Sequence, residues 1–304
     1  MNEKAKMNRT LVLTPEEREK YIQYISNRFK LNKVICGDFN EVNKQIPMNY
    51  ADLILLDPPY NLTKQYGTTK FEAMSNDEYY LYILDIFKRC LRVLKKGGTM
   101  YVCGDWKTSY LQRKALELLE QNSKCYVINR ITWSRDKGRG SSSNWKNNVE
   151  DIYMVVKNKN NYYFNVDAVK MKKSVLAPYR DQAGNNKDWK TDKMGEKYRM
   201  TCPSNVWFDI TVPFWSMSEN TEHPTQKPEK LYAKLILASS CYGDIVYEPF
   251  AGVFSGCVTA KKLGRNYLGV EREMEYCLLG YKRLLIAENN KVIQGYEDGV
   301  FKDK

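Results

Sequence analysis

Short unbroken apolar runs alternate with longer amphipathic stretches along most of this chain. Val34-Ile35-Cys36, Leu53-Ile54-Leu55-Leu56, Met100-Tyr101-Val102-Cys103 and the segments 244–247 and 267–270 have the length and composition of strands buried on both faces. Residues 126–133 and 152–157 read as further strands. Thr14, followed by Pro15, Glu16 and Glu17, predicts a helix over 14–30. Ser75 and Glu78 have the spacing of a capping box. Tyr80, Ile83, Leu84, Phe87, Leu91 and Leu94 then share one helical face, and Gly97-Gly98 is expected to end that helix. Helices are also predicted over 107–121, 230–240, up to Leu263-Gly264 and from 273 to 288. Strand–helix alternation of this kind predicts an α/β fold with one doubly wound, mostly parallel, Rossmann-like sheet.

Between residues 158 and 220 the periodicity fails. The stretch is polar, basic and rich in aromatics, among them Tyr162, Phe164, Trp189, Trp207 and Trp215. Aromatics at this density argue against disorder, so an inserted recognition region is expected. The resulting plan is a discontinuous catalytic domain of 30–157 and 221–290, an insert of 158–220, a helical extension of 1–29 and a frayed tail of 291–304.

Composition narrows the function. A chain of 304 residues, 43% hydrophobic, can bury a sizeable core. No apolar run approaches the ~20 residues of a membrane span, and the polar opening Met1–Lys6 suggests a cytoplasmic protein. The eight cysteines are scattered without a C-x-x-C pair, which suits reduced thiols. With one histidine, His223, a His-rich metal site is excluded and no metal is expected. The net charge is +12. Residues 130–199 hold 16 Lys and Arg against 8 Asp and Glu, so most of the surplus lies there and a polyanion is the partner to expect.

Candidate chemistry sits at strand ends. Asp57-Pro58-Pro59-Tyr60 closes the run at 53–56, and two prolines force a stiff exit from the sheet. A carboxylate and a ring are thereby fixed where open α/β sheets bind ligands. Alone, such a motif can also be a strand exit without chemistry. Glu248-Pro249-Phe250-Ala251-Gly252 follows a second strand, and its glycine lets a ligand approach the backbone. Glu271 ends the next strand, 19 residues after Gly252, a spacing suited to ribose hydroxyls.

Two further stretches complete the set: His223-Pro224-Thr225-Gln226-Lys227-Pro228, and Leu263-Gly264-Arg265-Asn266-Tyr267-Leu268-Gly269-Val270-Glu271. In this order the motifs resemble the β class of DNA amino-methyltransferases of restriction-modification systems, which act on adenine N6 or cytosine N4. The resemblance covers residues 30–288. It implies S-adenosylmethionine as cofactor and double-stranded DNA as partner, with a cognate restriction endonuclease and a homodimer as further partners. Asp57, where the cytosine enzymes usually carry Ser, points to adenine. By the same resemblance, Asp57 and the Pro58 carbonyl hold the target amine, Pro59 stiffens the turn and Tyr60 stacks on a flipped base. Asp38, Asp57, Thr225, Lys227, Phe250, Ala251, Gly252, Ser255, Gly256 and Glu271 would surround the cofactor. Lys227 is a candidate partner for the cofactor's carboxylate. Arg139, Ser141, Ser142, Trp145 and Lys146 suit a loop over the DNA backbone.

Two departures stand out. Glu248 opens the cofactor loop where the family has Asp, and Phe254 replaces its second glycine. Either Phe254 packs beneath the loop and Gly252 and Gly256 make the close approach, or it weakens cofactor binding. Alternative functions are cytosine-N4 or RNA adenine methylation, or a non-catalytic DNA-binding paralogue.

Overall fold

The computed structural model describes residues 7–135, 140, 142–175, 179–185 and 187–302. The chain begins with α1 (Pro15–Ile22), closed at its start by the reciprocal Thr14/Glu17 capping box. It stops well short of the predicted residue 30. β1 (Val34–Cys36) leads into α2 (Phe39–Gln45), a short helix that the sequence pattern did not predict, with Asp38 as its N-cap. β2 (Ala51–Leu56) is followed by a hairpin of β3 (Lys64–Tyr66) and β4 (Thr69–Phe71). Then come α3 (Asn76–Val93), β5 (Leu94–Asp105), α4 (Thr108–Gln121), β6 (Tyr126–Ser134) and β7 (Val149–Val156). Gly97-Gly98 does not end α3. It lies inside β5, where a Cβ on Gly98 would come within 2.6 Å of the Asp52 carbonyl, so glycine permits the close β2–β5 approach.

The aperiodic stretch is built from small strands: β8 (Met171–Ser174), β9 (Lys190–Thr191), β10 (Lys197–Thr201) and β11 (Val206–Trp207). The doubly wound pattern resumes with α5 (Glu229–Ser239), β12 (Ile245–Glu248), α6 (Ser255–Lys262), β13 (Asn266–Glu271) and α7 (Met274–Asn289). The chain then forms β14 (Tyr296–Glu297) and β15 (Val300–Phe301).

Eight strands make the main sheet, in the order β1-β13-β12-β2-β5-β7-β6-β11. Neighbouring pairs are parallel except where β7 runs against β5 and β6. β2 shows why its run is unbroken. Ile54 and Leu56 face the α2–α4 side, and Leu53 and Leu55 face α5–α7, all fully buried.

The expected frayed tail is ordered over its described residues, 291–302. β15 pairs with β8 and joins β14 to β8, β10 and β9 in a second, five-stranded sheet. Phe301 is fully buried beneath the Lys234 ammonium, which lies 4.9 Å from the Trp207 ring and 2.8 Å from Asp209. Lys230 donates to the carbonyls of Asp209 and Lys302, both at 2.6 Å. Apolar burial and two cations that need acceptors therefore hold the tail against the insert and α5. Phe301→Ala should cost about 3–5 kcal/mol of stability, read from urea unfolding; an unchanged midpoint would show that the tail carries no load.

Candidate active site

The parallel strands deliver their carboxyl ends to one edge, as such sheets do. β1 ends on Gly37-Asp38, β13 on Glu271, β12 on Glu248-Pro249-Phe250 and β2 on Asp57. β12 and β2 are adjacent, so the two halves of the chain meet at this point. A cavity of about 430 Å³ opens there. Asp38, Asp57, Pro58, Pro59, Tyr60, Thr225, Lys227, Phe250, Gly252 and Glu271 all line it. The β3–β4 hairpin covers it with Tyr66, Thr69, Lys70 and Phe71. Glu273 holds that hairpin, accepting the Thr68 amide and hydroxyl, each at 2.8 Å, and the Thr69 hydroxyl.

Asp57 is the centre of a buried polar network. The Lys227 ammonium donates to Asp57 Oδ2 at 2.7 Å, and the Tyr60 hydroxyl donates to Asp57 Oδ1 at 2.7 Å. Glu150, at the start of β7, brings its Oε2 within 3.1 Å of the Tyr60 hydroxyl and 3.3 Å of Lys227. Arg135 holds the other Glu150 oxygen at 3.0 Å. Burial alone would lower the Lys227 pKa, but Asp57 and Glu150 outweigh it and raise it. Burial, then the two carboxylates, pushes the Tyr60 phenol well up, so it keeps its proton. The turn itself is pinned: the Tyr79 hydroxyl donates to the Pro59 carbonyl at 2.9 Å, and Asn61 exchanges hydrogen bonds with both Met74 backbone groups.

On the other side of the cavity, Glu271 Oε2 accepts the Gly252 amide at 2.8 Å, and its Oε1 accepts the amides of Arg272 and Glu273. Burial raises its pKa. Gly252 has φ +50° and a Cβ there would strike the His223 ring at 2.9 Å, so only glycine fits comfortably. His223 accepts the Thr225 amide at Nδ1. Burial and the Lys227 and Lys64 charges push its pKa down to about 3, which keeps the ring neutral. Asp38 caps α2 by accepting the Asn40 amide at 2.8 Å and still faces the cavity. Phe250 stacks on Phe39 with ring centroids 5.0 Å apart.

Ala251, Ser255 and Gly256 do not line the cavity, contrary to expectation. Ala251 is buried with its amide on Val270. Ser255 accepts Arg283 at 2.8 Å, and Gly256 packs against Leu55 and Glu248. Glu248 explains this placement. Its two oxygens accept the amides of Gly256 and Cys257, each at 3.0 Å, and so close the first turn of α6. Burial pushes the Glu248 carboxyl up to about 7. Of the residues expected on DNA, Ser142, Trp145 and Lys146 are exposed between β6 and β7, and Arg139 and Ser141 lie outside the described residues.

A family model described as DNA methylase matches residues 51–282. The chain belongs to the N6/N4 DNA methylase family. It is 34% identical over 261 residues to the DNA adenine methyltransferase YhdJ of Escherichia coli (strain K12), across 84% of this chain and 83% of that protein. It is 32% identical over 253 residues to the type II methyltransferase M.HpaI of Haemophilus parainfluenzae, across 83% and 74% respectively. Among solved structures, the cytosine-N4-specific PvuII DNA methyltransferase shares the fold with a TM-score of 0.62 at 17% identity, covering 87% of this chain and 90% of that one. The M1.HpyAVI–SAM complex aligns with a TM-score of 0.54 at 21% identity, covering 82% and 97%.

Within this DNA methyltransferase, Phe254 has a definite place. It adopts the left-handed conformation, φ 62° and ψ 33°, and is fully buried. A Cβ on Gly269 or Gly280 would strike its ring at 2.6 or 2.3 Å, so these two glycines make its slot. Phe254 does not line the cavity. Sequence reading missed Glu150, the hairpin and Glu273. Glu150 carried one signal, an acid entering an apolar strand, which is costly unless paired. Phe254→Ala should lower stability by about 3–5 kcal/mol while cofactor affinity measured by calorimetry changes little; loss of affinity with stability retained would place the ring in the cofactor site.

Proposed function

We propose that this enzyme is a sequence-specific DNA adenine-N6 methyltransferase that uses S-adenosylmethionine and acts on an adenine flipped out of duplex DNA. The observation that carries the reading is the single cavity with Asp38 and Glu271 after β1 and β13 and Asp57 with Tyr60 after β2. β13 and β2 are two strand spacings apart, about 10 Å, a span suited to a nucleoside at one end and a reacting methyl group at the other. Glu271, rigid on three amides, suits a ribose diol as a paired acceptor. Asp38, Phe39 and Phe250 suit an adenine ring.

When bound, S-adenosylmethionine supplies an electrophilic methyl group on a sulfonium. The chain's own residues act on the nucleophile. An exocyclic amine shares its lone pair with the ring, and hydrogen bonds from its N–H groups to Asp57 and the Pro58 carbonyl favour a pyramidal, more nucleophilic nitrogen. Asp57 lies where it would stabilise the positive charge that develops on the nitrogen as it accepts the methyl group, before the nitrogen's extra proton leaves to solvent. The pinned turn keeps these acceptors in line. Tyr60 provides a ring face for the extruded base, offsetting part of the few kcal/mol that flipping costs. Lys227 is already committed to Asp57 and Glu150, so its function is to set the charge around the amine site.

The insert of 158–220 supports a target-recognition role, with a catalytic unit of 30–157 and 221–290. Its second sheet carries Lys172, Lys173, Lys190, Lys197 and Arg199. Together with Ser142, Trp145 and Lys146, these basic and aromatic residues supply the backbone contacts that a polyanion needs. A cognate restriction endonuclease and a homodimer are the further partners this function implies, and the cytoplasm is its compartment. Among the described residues no helix is long and apolar enough to cross a membrane.

Asp57→Ala should lower turnover by about 10²–10³-fold and leave DNA affinity within a few-fold, because Lys227 keeps Glu150. If DNA binding vanished with turnover, Asp57 would be a binding residue. Affinity for duplex DNA should fall by about 10³ between 50 and 200 mM salt; a flat response would contradict the basic-surface assignment. Mass analysis of host DNA after expression should show N6-methyladenine in a fixed sequence context, whereas N4-methylcytosine would move the assignment to the other amine.

A further inference from the structure

We propose that Glu150 is a positioning residue for methyl transfer: it takes over the Tyr60 hydroxyl and the Lys227 ammonium when Asp57 turns to the target amine. The inference rests on the adenine methyltransferase reading above.

Both oxygens of Asp57 are engaged. Tyr60 donates to Oδ1 and Lys227 to Oδ2, each at 2.7 Å. An amine arriving at Asp57 meets a carboxylate whose charge is already drawn toward two donors. Glu150 Oε2 lies next to the same two donors, at 3.1 Å from the hydroxyl and 3.3 Å from the ammonium. These contacts are longer than those of Asp57 and within reach of a small rotation. A phenol has one proton and donates to one carboxylate at a time, so rotating the Tyr60 O–H bond moves the hydrogen bond from Asp57 to Glu150 without breaking a covalent bond. Lys227 has three donors and can lean toward either carboxylate.

Glu150 cannot serve the amine itself. Its side chain is 5% exposed, and its second oxygen is fixed by Arg135 at 3.0 Å. Glu150 does not line the cavity, whereas Asp57, Tyr60 and Lys227 do. Arg135 and Lys227 balance the two carboxylates, so the exchange redistributes hydrogen bonds inside a neutral cluster and brings no uncompensated charge into the interior. Arg135 also begins the connection from β6 to β7, where its amide donates to the Asn148 carbonyl. The exchange acceptor is thereby anchored at the foot of the loop expected on DNA.

The test is single-turnover methyl transfer at saturating DNA and S-adenosylmethionine. Glu150→Gln keeps the volume and removes the charge, leaving the ammonium to Asp57. Its transfer rate should fall about 10- to 100-fold while KM for the cofactor and Kd for DNA stay close to wild type; Tm falls, because Lys227 and Arg135 lose a shared carboxylate. A wild-type rate would overturn the proposal. So would a rate loss accompanied by proportionate losses of cofactor and DNA affinity, which marks a structural role. Should Glu150→Gln fail to fold, Glu150→Asp keeps the charge but withdraws it from Tyr60. It should fold, transfer slowly and bind normally, and a wild-type rate there would again overturn the proposal. Wild-type enzyme that methylates no adenine defeats the functional reading instead, which separates the two failures.

Discussion

A buried ammonium with two carboxylates is the interaction on which the site depends. Lys227 has a side chain only 6% exposed, and a cation so placed is tolerated only with close anionic partners. Asp57 and Glu150 provide them, from segments 170 and 77 residues away along the chain. The ion pair therefore needs β2, β7 and the segment before α5 to be in place together. It also explains the stiffness of Asp57-Pro58-Pro59-Tyr60. A buried charge pair tolerates little slack, and the turn is held by Tyr79 on one side and Asn61 on the other.

The cofactor side follows a different rule. Glu248 stabilises α6 from the end of β12, and Phe254 fills the slot between β13 and α7 shaped by Gly269 and Gly280. The loop keeps its path by packing, although a non-glycine residue in the left-handed region is strained. Of the loop's glycines, Gly252 approaches the cavity and Gly256 serves the interior.

The main sheet was legible because each buried strand is an apolar run of its own and most helices announce themselves by caps and period. Asp57, Tyr60, Gly252 and Glu271 were legible because they stand at strand ends, next to residues that force the chain to turn. Glu150 was obscured: one acid in a strand carries no mark of its partner, and only the register that sets it opposite Asp105 and Trp133 brings it to Tyr60. Strands of two residues such as β9 and β11 are too short to show a period. Ser255 and Gly256 were misplaced because a motif's order along the chain does not say which side of a helix faces the ligand.

The second sheet closes with Phe301 on Met171, 130 residues apart in the chain. During synthesis, β8, β9 and β10 leave the ribosome long before β15 exists. The basic surface they carry can gather as a partial sheet but cannot be clamped to α5 until the Trp207–Lys234–Phe301 stack is complete. Long-range closure of this kind is slow and comes late. The basic sheet proposed for DNA is thus the last part of the molecule to mature: the Asp57–Glu150–Lys227 cluster needs the chain only as far as Lys227, whereas the clamp on that sheet waits for Phe301.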